Sequence, residues 1–243
     1  MNQIAVMGHG VVGSGVVEVL LKNHDSIVKR AGDGIELKYI LDLKEFPGLP
    51  YSEKFIKDFE IIVNDPSVTA EVMGGLHPAY DFVKRCLQAG KSVVTSNKEL
   101  VAAKGGELLS IAREKNVNFL FEASVGGGIP IIRPISQCLA ANDIIEIQGI
   151  LNGTTNFILT KMIKDDMSFE DSLALAQQLG YAENDSSADV DGHDACRKIC
   201  ILASLAFGHH VYPAQVHTEG ISKVTRLDVA YAASCGSVIK LIG

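Results

Sequence analysis

The chain has 243 residues, 47% of them hydrophobic, and a formal net charge of −7. That length suits one large domain or two modest ones with a sizeable core. With no basic block, no tryptophan and no apolar run of about 18 residues, it offers no basis for binding nucleic acid or an anionic membrane, or for spanning one. Met1-Asn2-Gln3 leads directly into an apolar stretch without a signal or transit pattern, so a cytoplasmic location is expected. Five scattered cysteines (Cys86, Cys138, Cys196, Cys200, Cys235) form no C-x-x-C and read as free thiols. Cys196 and Cys200 lie four apart, but no nearby His or Cys completes a tetrahedral metal set.

In chain order, a strand at Ile4–Met7 runs into Gly8-His9-Gly10-Val11-Val12-Gly13. A helix from Val16 to about Lys29 follows, then a strand, Ile35–Leu41, that ends at Asp42. This is the strand, G-x-G-x-x-G, helix, strand, acid order of a dinucleotide site. Gly8 makes the tight turn, Gly10 admits the pyrophosphate, Gly13 lets helix and strand pack closely, and the helix N-terminus holds phosphate charge. Val11 and Val12 complete the loop as cofactor-binding candidates. Asp42 is placed either to bond a ribose 2′-hydroxyl, favouring NAD, or to act as a simple turn residue. Lys44 and Lys57 are near enough in sequence to receive a 2′-phosphate instead.

The alternation continues with a strand at 69–73 ending in Gly74-Gly75, a helix Pro78–Ala89 and a strand Ser92–Thr95. A helix Glu99–Lys115 and a strand Val117–Glu122 follow. Repeated β-α units predict a parallel, doubly wound sheet, with ligands outside the carboxyl ends of its strands. Gly74 and Lys98 then fall on the ligand side. Lys98 is either functional or a solvated lysine near a helix start, where a cation is disfavoured. After Gly126-Gly127-Gly128 the rhythm loosens, so domains at 1–129 and 130–243 are expected. In the second, a helix Pro130–Leu139, a strand Ile144–Leu151, a polar turn Asn152–Asn156 and helices Phe157–Ile163 and Phe169–Leu179 are predicted.

Between Tyr181 and Lys198 stand Glu183, Asp185, Asp189, Asp191 and Asp194, before an almost wholly apolar run, Ile199–Phe207. A helix apolar on all sides is normally buried, so these charges sit at the mouth of a core, where they are paired or used. Asp191 is an N-cap candidate, and Asp191, Asp194 and Lys198 at i, i+3, i+7 would share one helical face. The pattern fits either a buried Asp–Lys pair or a proton-transfer lysine oriented by Asp194, with Glu183 near to take a substrate ammonium. A calcium loop aligned on Gly192 fails, because Ser187 and Lys198 fall at two key ligand positions.

The chain resembles the homoserine dehydrogenase family. The matching stretches are the glycine loop at 8–13, Val93–Lys98, Phe121–Pro130, Gly149–Asn156, and Gly180–Glu183 through Asp189, Gly192, Asp194 and Lys198; together they span nearly the whole chain. The resemblance implies NAD(P)H-dependent interconversion of L-aspartate 4-semialdehyde and L-homoserine, in threonine, methionine and isoleucine biosynthesis. It implies a Rossmann-type domain followed by an α/β substrate-binding and dimerisation domain. By the same resemblance Lys198 is the proton donor, Lys98 a second active-site lysine, Glu183 the substrate-binding glutamate and Asp194 an essential aspartate. Gly153, Thr154, Tyr181 and Asp189 line the pocket. A sodium ion around Glu122, Val125, Gly127 and Ile129 and a homodimer are also implied, and oxygen ligands suit such a hard cation. Leu41 departs from the family's frequent arginine, which weakens the case for NADP over NAD. The chain is expected to be truncated after Gly243, leaving the second domain incomplete. The alternatives are a fragment that only binds dinucleotide and dimerises, and a dehydrogenase for another amino-acid-like substrate; Glu183, Asp194 and Lys198 argue against the latter.

Overall fold

A computed structural model describes residues 2–69 and 75–243. The chain is α/β and divides into two compact units, Met1–Pro130 and Ile131–Gly243.

In the first unit β1 (Asn2–Met7) is followed by α1 (Val11–Lys22), α2 (His24–Ala31) and β2 (Ile35–Leu41). β1 and β2 pair in parallel from Asn2↔Ile35 to Met7↔Leu41, with one register slip between Ile4 and Ala5. β3 (Phe55–Ile56) adds outside β2 and β4 (Val68–Thr69) on the far side of β1, giving the all-parallel order β3-β2-β1-β4. That order places β1 inside the sheet, which accounts for its buried Ala5, Val6 and Met7. Val6, Leu37 and Ile40 pack with Val17 of α1 to form a core.

The unit continues through α3 (Phe59–Asn64), α4 (Ala79–Gln88), β5 (Val93–Val94), α5 (Lys98–Glu114) and β6 (Phe119–Leu120), with β5 and β6 paired in parallel. The side chain of Asn97 caps α5 by accepting the Leu100 N–H at 3.0 Å. The long helix expected over Val16–Lys29 is instead two. Asn23 ends α1 and opens α2, and Gly32 closes α2 in the left-handed region (φ 74°). Most of the strand expected at 69–73, including Gly74, lies outside the described residues.

The second unit holds α6 (Gly153–Asp165), α7 (Phe169–Gln178), α8 (Ser187–Val190), α9 (His193–Phe207) and α10 (Arg226–Ser234). Its core joins Ile158, Leu159 and Met162 of α6 to Ala176 of α7, Val190 of α8 and Ile221, with Ile239 and Leu241 packed against it. The helix expected at Pro130–Leu139 shortens to a π-helical stretch, Pro134–Cys138. The expected strand Ile144–Leu151 does not form among the described residues. A strand needs a neighbour along its length, and here Gly149 alone exchanges a reciprocal pair of backbone bonds, with Gly243 at 2.9 and 3.0 Å. Ile145 is accordingly 93% exposed. No helix among the described residues is long and apolar enough to cross a membrane.

Leu159 is fully buried at the centre of the second core. Leu159→Ala is expected to cost about 2–5 kcal/mol by removing side-chain volume that neighbours refill only in part. Urea denaturation would show a lowered midpoint with an unchanged slope.

Candidate active site

The glycine loop is built by close backbone approach. A Cβ on Gly13 would stand 1.9 Å from the Gly8 carbonyl oxygen, and Gly8 itself turns at φ 101°. Only glycine at both positions lets α1 begin against the end of β1. Gly10 is the N-cap of α1, and the space a Cβ would occupy there is open. Beside it Val11 is 93% exposed and Val12 is exposed, so the loop presents a helix N-terminus at the surface. This cradle fits a dinucleotide's pyrophosphate.

Asp42 holds the loop in place. Its Oδ2 accepts the His9 N–H at 2.8 Å and its Oδ1 the Lys44 N–H at 2.9 Å. Burial alone raises its pKa, but the bonds from Lys44 and His9 outweigh that and hold the carboxyl below the usual carboxylate value. The His9 ring is buried against Phe46 and Phe55 at centroid distances of 4.6 and 5.0 Å, and its Nε2 lies 3.3 Å from the Tyr51 hydroxyl. Lys57 is engaged with Glu45 at 2.8 Å. Lys98 is the first residue of α5, directly after the Asn97 cap and past the carboxyl end of β5 at Val94. Glu122 begins a short 3-10 turn, Val125 is buried, Ile129 is exposed, and Gly126 and Gly127 both adopt positive φ (78° and 58°).

In the second unit Asp194 and Lys198 form an i,i+4 pair on α9, Nζ to Oδ2 at 2.7 Å. Asp194 is 2% exposed and the Lys198 side chain 17%. Lys198 also donates to the Leu151 carbonyl at 2.8 Å. Asn152 caps α6 and donates from Nδ2 to Asp189 Oδ1 at 2.7 Å and to Asp194 Oδ2 at 2.8 Å. Thr154 Oγ1 donates to the Tyr181 carbonyl at 2.7 Å, tying the start of α6 to the turn after α7. Gly153 is the first residue of α6, so Asn152–Asn156 is a capped helix start rather than a free turn. The structure thus brings together Asp189, Asp194 and Lys198 and links Gly153, Thr154 and Tyr181 to them.

Glu183 stands apart from this network with its side chain exposed; its backbone carbonyl is engaged by Gln177 Nε2 at 3.2 Å. Asp185 has a local task, accepting the N–H and hydroxyl of Ser187 at 3.1 and 2.6 Å. Asp191 is not the cap of α9. Gly192 takes that position at φ 83°, which leaves Asp191 outside the helix, off the Asp194–Lys198 face and bonded to Ser222 Oγ at 3.3 Å. Burial, with Cys196 beside it, pushes the Cys200 thiol up to about 12. Among the described residues no group of three His, Cys, Asp or Glu side chains is arranged to hold a metal. Two members of the network are not singled out as site residues by the sequence: Leu151, which acts through its backbone, and Asn152, which stands only within a polar turn.

Comparison with known proteins gives two adjoining family matches. Residues 8–122 match the NAD binding domain of homoserine dehydrogenase, and residues 130–243 match the model described as homoserine dehydrogenase. A homoserine dehydrogenase from Synechocystis sp. is 46% identical over 99% of this chain and 56% of its own length. The structure of one from Thiobacillus denitrificans superposes with a TM-score of 0.93 at 41% identity, covering 100% of this chain and 57% of that one. A candidate homoserine dehydrogenase from Archaeoglobus fulgidus has a TM-score of 0.89 at 31% identity, covering 100% and 80%. The chain belongs to the homoserine dehydrogenase family.

This homoserine dehydrogenase family chain spans a little over half the length of the curated relatives it matches. Its first unit is the family's NAD-binding domain, of Rossmann type. Gly13→Ala is expected to abolish retention on immobilised NADP or NAD, because the new methyl collides with the Gly8 carbonyl.

Asp42 supplies an acid-sensitive contribution. Its folded pKa is depressed, so the stabilisation is present above the unfolded value of about 4 and lost as pH falls through the folded value. Asp42→Ala is expected to cost about 1 kcal/mol at neutral pH. The difference from wild type should vanish in denaturation curves taken well below pH ~4.

Proposed function

We propose that the protein interconverts L-aspartate 4-semialdehyde and L-homoserine with NAD(P)H, serving threonine, methionine and isoleucine biosynthesis in the cytoplasm. The observation that supports this most is the Lys198 ammonium, fixed by Asp194 Oδ2 and the Leu151 carbonyl. An ammonium has three N–H groups. Two are committed to these acceptors, and the third is available to a substrate oxygen.

When bound, the nicotinamide supplies the hydride. The aldehyde oxygen gains negative charge as hydride arrives; Lys198 stabilises that charge and then protonates it. Asp194 keeps the ammonium aimed. Glu183, exposed and not drawn into the network, is suited to take the substrate ammonium, while Gly153, Thr154, Tyr181 and Asp189 shape the surroundings. In the nucleotide unit the cofactor would rest on Gly8, Gly10, Val11, Val12 and Gly13, with Asp42 supporting the loop and Lys98 at the β5 end serving as the second lysine. A sodium ion held by Glu122, Val125, Gly127 and Ile129 belongs to the same proposal; the two left-handed glycines turn that loop's backbone. So does a homodimer through the second unit, where Ile145, Leu227 and Tyr231 are exposed.

One second reading is a module that binds dinucleotide and dimerises without turnover, supported by the open glycine loop and the exposed Ile145, Leu227 and Tyr231. The test follows NADH and NADPH absorbance with aspartate semialdehyde, using this chain and a form carrying the further C-terminal length of its relatives. Lys198→Arg keeps the charge opposite Asp194 but is a poor proton donor, so a loss of about 10²–10⁴-fold in kcat with cofactor binding intact is expected. Unchanged turnover in that variant would sink the proton-donor role. Cofactor binding and dimerisation without turnover in either form would establish the second reading.

A further inference from the structure

We infer that Asn152 is a positioning residue for Lys198: its amide N–H groups clamp the Asp189 and Asp194 carboxylates together and thereby aim the Asp194–Lys198 pair. This deepens the proposed reading and rests on it for the reaction named, but not for the geometry.

Asn152 is 5% exposed and its side chain is fully used. Oδ1 accepts the Thr155 N–H at 2.8 Å and the Thr155 hydroxyl at 2.9 Å. Nδ2 donates one hydrogen to Asp189 on α8 and one to Asp194 on α9. The network fixes the amide's orientation, because a flipped amide would set its oxygen against two carboxylates.

The two halves of the side chain do different work. Capping α6 needs only the oxygen, and Ser, Asp or Thr would supply it equally well. The donor half has no part in the cap. It lies between two carboxylates from separate helices, one of them deeply buried, where unbridged anions repel. Asp194 Oδ2 receives Asn152 from one side and Lys198 from the other, so where the amide holds that oxygen decides where the ammonium points. The adjoining Leu151 carbonyl fixes the same ammonium, so one dipeptide supplies both an acceptor for Lys198 and the clamp on its counterion.

The variants that separate clamp from cap are Asn152→Ser and Asn152→Asp. Both keep an N-cap oxygen, so α6 stays capped, yet neither can bridge two carboxylates, and Asn152→Asp adds a third carboxylate beside them. The direct readout is the ¹⁵N-detected ammonium signal of Lys198 in the labelled chain, assigned by its disappearance in Lys198→Arg. In wild type the signal is expected to be protected from solvent exchange; in both Asn152 variants it should be lost. In the double variant Asn152→Ser with Asp189→Asn the facing charge is gone, and the signal should return. Where turnover is measurable, kcat should fall about 100-fold in the single variants, the scale of a misplaced reacting group, with KM for the cofactor unchanged. A signal that survives Asn152→Ser overturns the inference. So does a loss that the double variant fails to restore, which would assign the effect to the cap. The ammonium readout decides the point without turnover, so failure of the proposed activity and failure of the clamp remain distinguishable.

Discussion

The second unit is organised around one constraint, the burial of the Asp194 carboxylate. Moving a carboxylate and an ammonium out of water costs several kcal/mol each, and their mutual attraction offsets this only when the remaining hydrogen-bonding capacity is satisfied nearby. Lys198 answers the charge of Asp194, Asn152 takes a further share of the same oxygen, and Leu151 occupies a second ammonium proton. Asn152 and Leu151 sit at the start of α6, over 40 residues before α9 in the sequence. Burying the pair therefore requires the N-terminal ends of α6 and α9 to meet. Beyond that meeting point the α6 residues Ile158, Leu159 and Met162 pack against Ala176, Val190 and Ile221.

The same requirement reaches the turn before α9. That helix must begin close enough to α8 for one amide to span Asp189 and Asp194. Gly192 makes the entry at φ 83°, and a Cβ there would crowd the Glu219 carbonyl at 3.0 Å. On the facing segment, a Cβ at Gly220 would lie 2.2 Å from the Val190 carbonyl, which already accepts the Ile221 N–H at 2.7 Å. Two glycines on opposing segments thus remove the side chains that would hold the α8–α9 turn away from its neighbour. The nucleotide unit solves a related problem alike: Gly8 and Gly13 permit the approach, and Asp42 ties the loop ends by accepting backbone N–H groups.

What was legible in the sequence follows from how local each cause is. The glycine loop could be read because its steric demand lies within six residues, and Asp194–Lys198 because an i,i+4 spacing on one helix already implies contact. The failures are of two kinds. Asp191 satisfied the cap pattern, but the chain enters α9 through a left-handed residue that only glycine takes easily, so the cap moved one place on. Ile144–Leu151 has strand-like composition, yet pairing depends on a neighbour rather than on the segment itself. Asn152 was visible only as part of a polar turn, since its partners lie 37 and 42 residues away. Leu151 was visible only as the end of an expected strand, because a backbone carbonyl carries no side-chain signature.

The contrast between Asp194 and Glu183 separates two environments, suited to the two tasks proposed for them, that the sequence presents as one acidic cluster. A carboxylate that aims a lysine has to be immobile, and immobility here comes from burial and from bonds that fill the oxygen facing that lysine. A carboxylate that greets an incoming ammonium has to be the opposite. Its oxygens must stay solvated and open until the ligand arrives, so that desolvation is compensated by the new ion pair and not incurred beforehand. Asp194 is sealed between Asn152 and Lys198, while Glu183, eleven residues earlier, is anchored through its backbone by Gln177 and leaves its side chain in water. Asp185 and Asp191 fall to neither task, since each is bound to a serine of its own neighbourhood. The cluster's charge is therefore divided by burial, with the deepest carboxylate holding the Lys198 ammonium and Glu183 left in water.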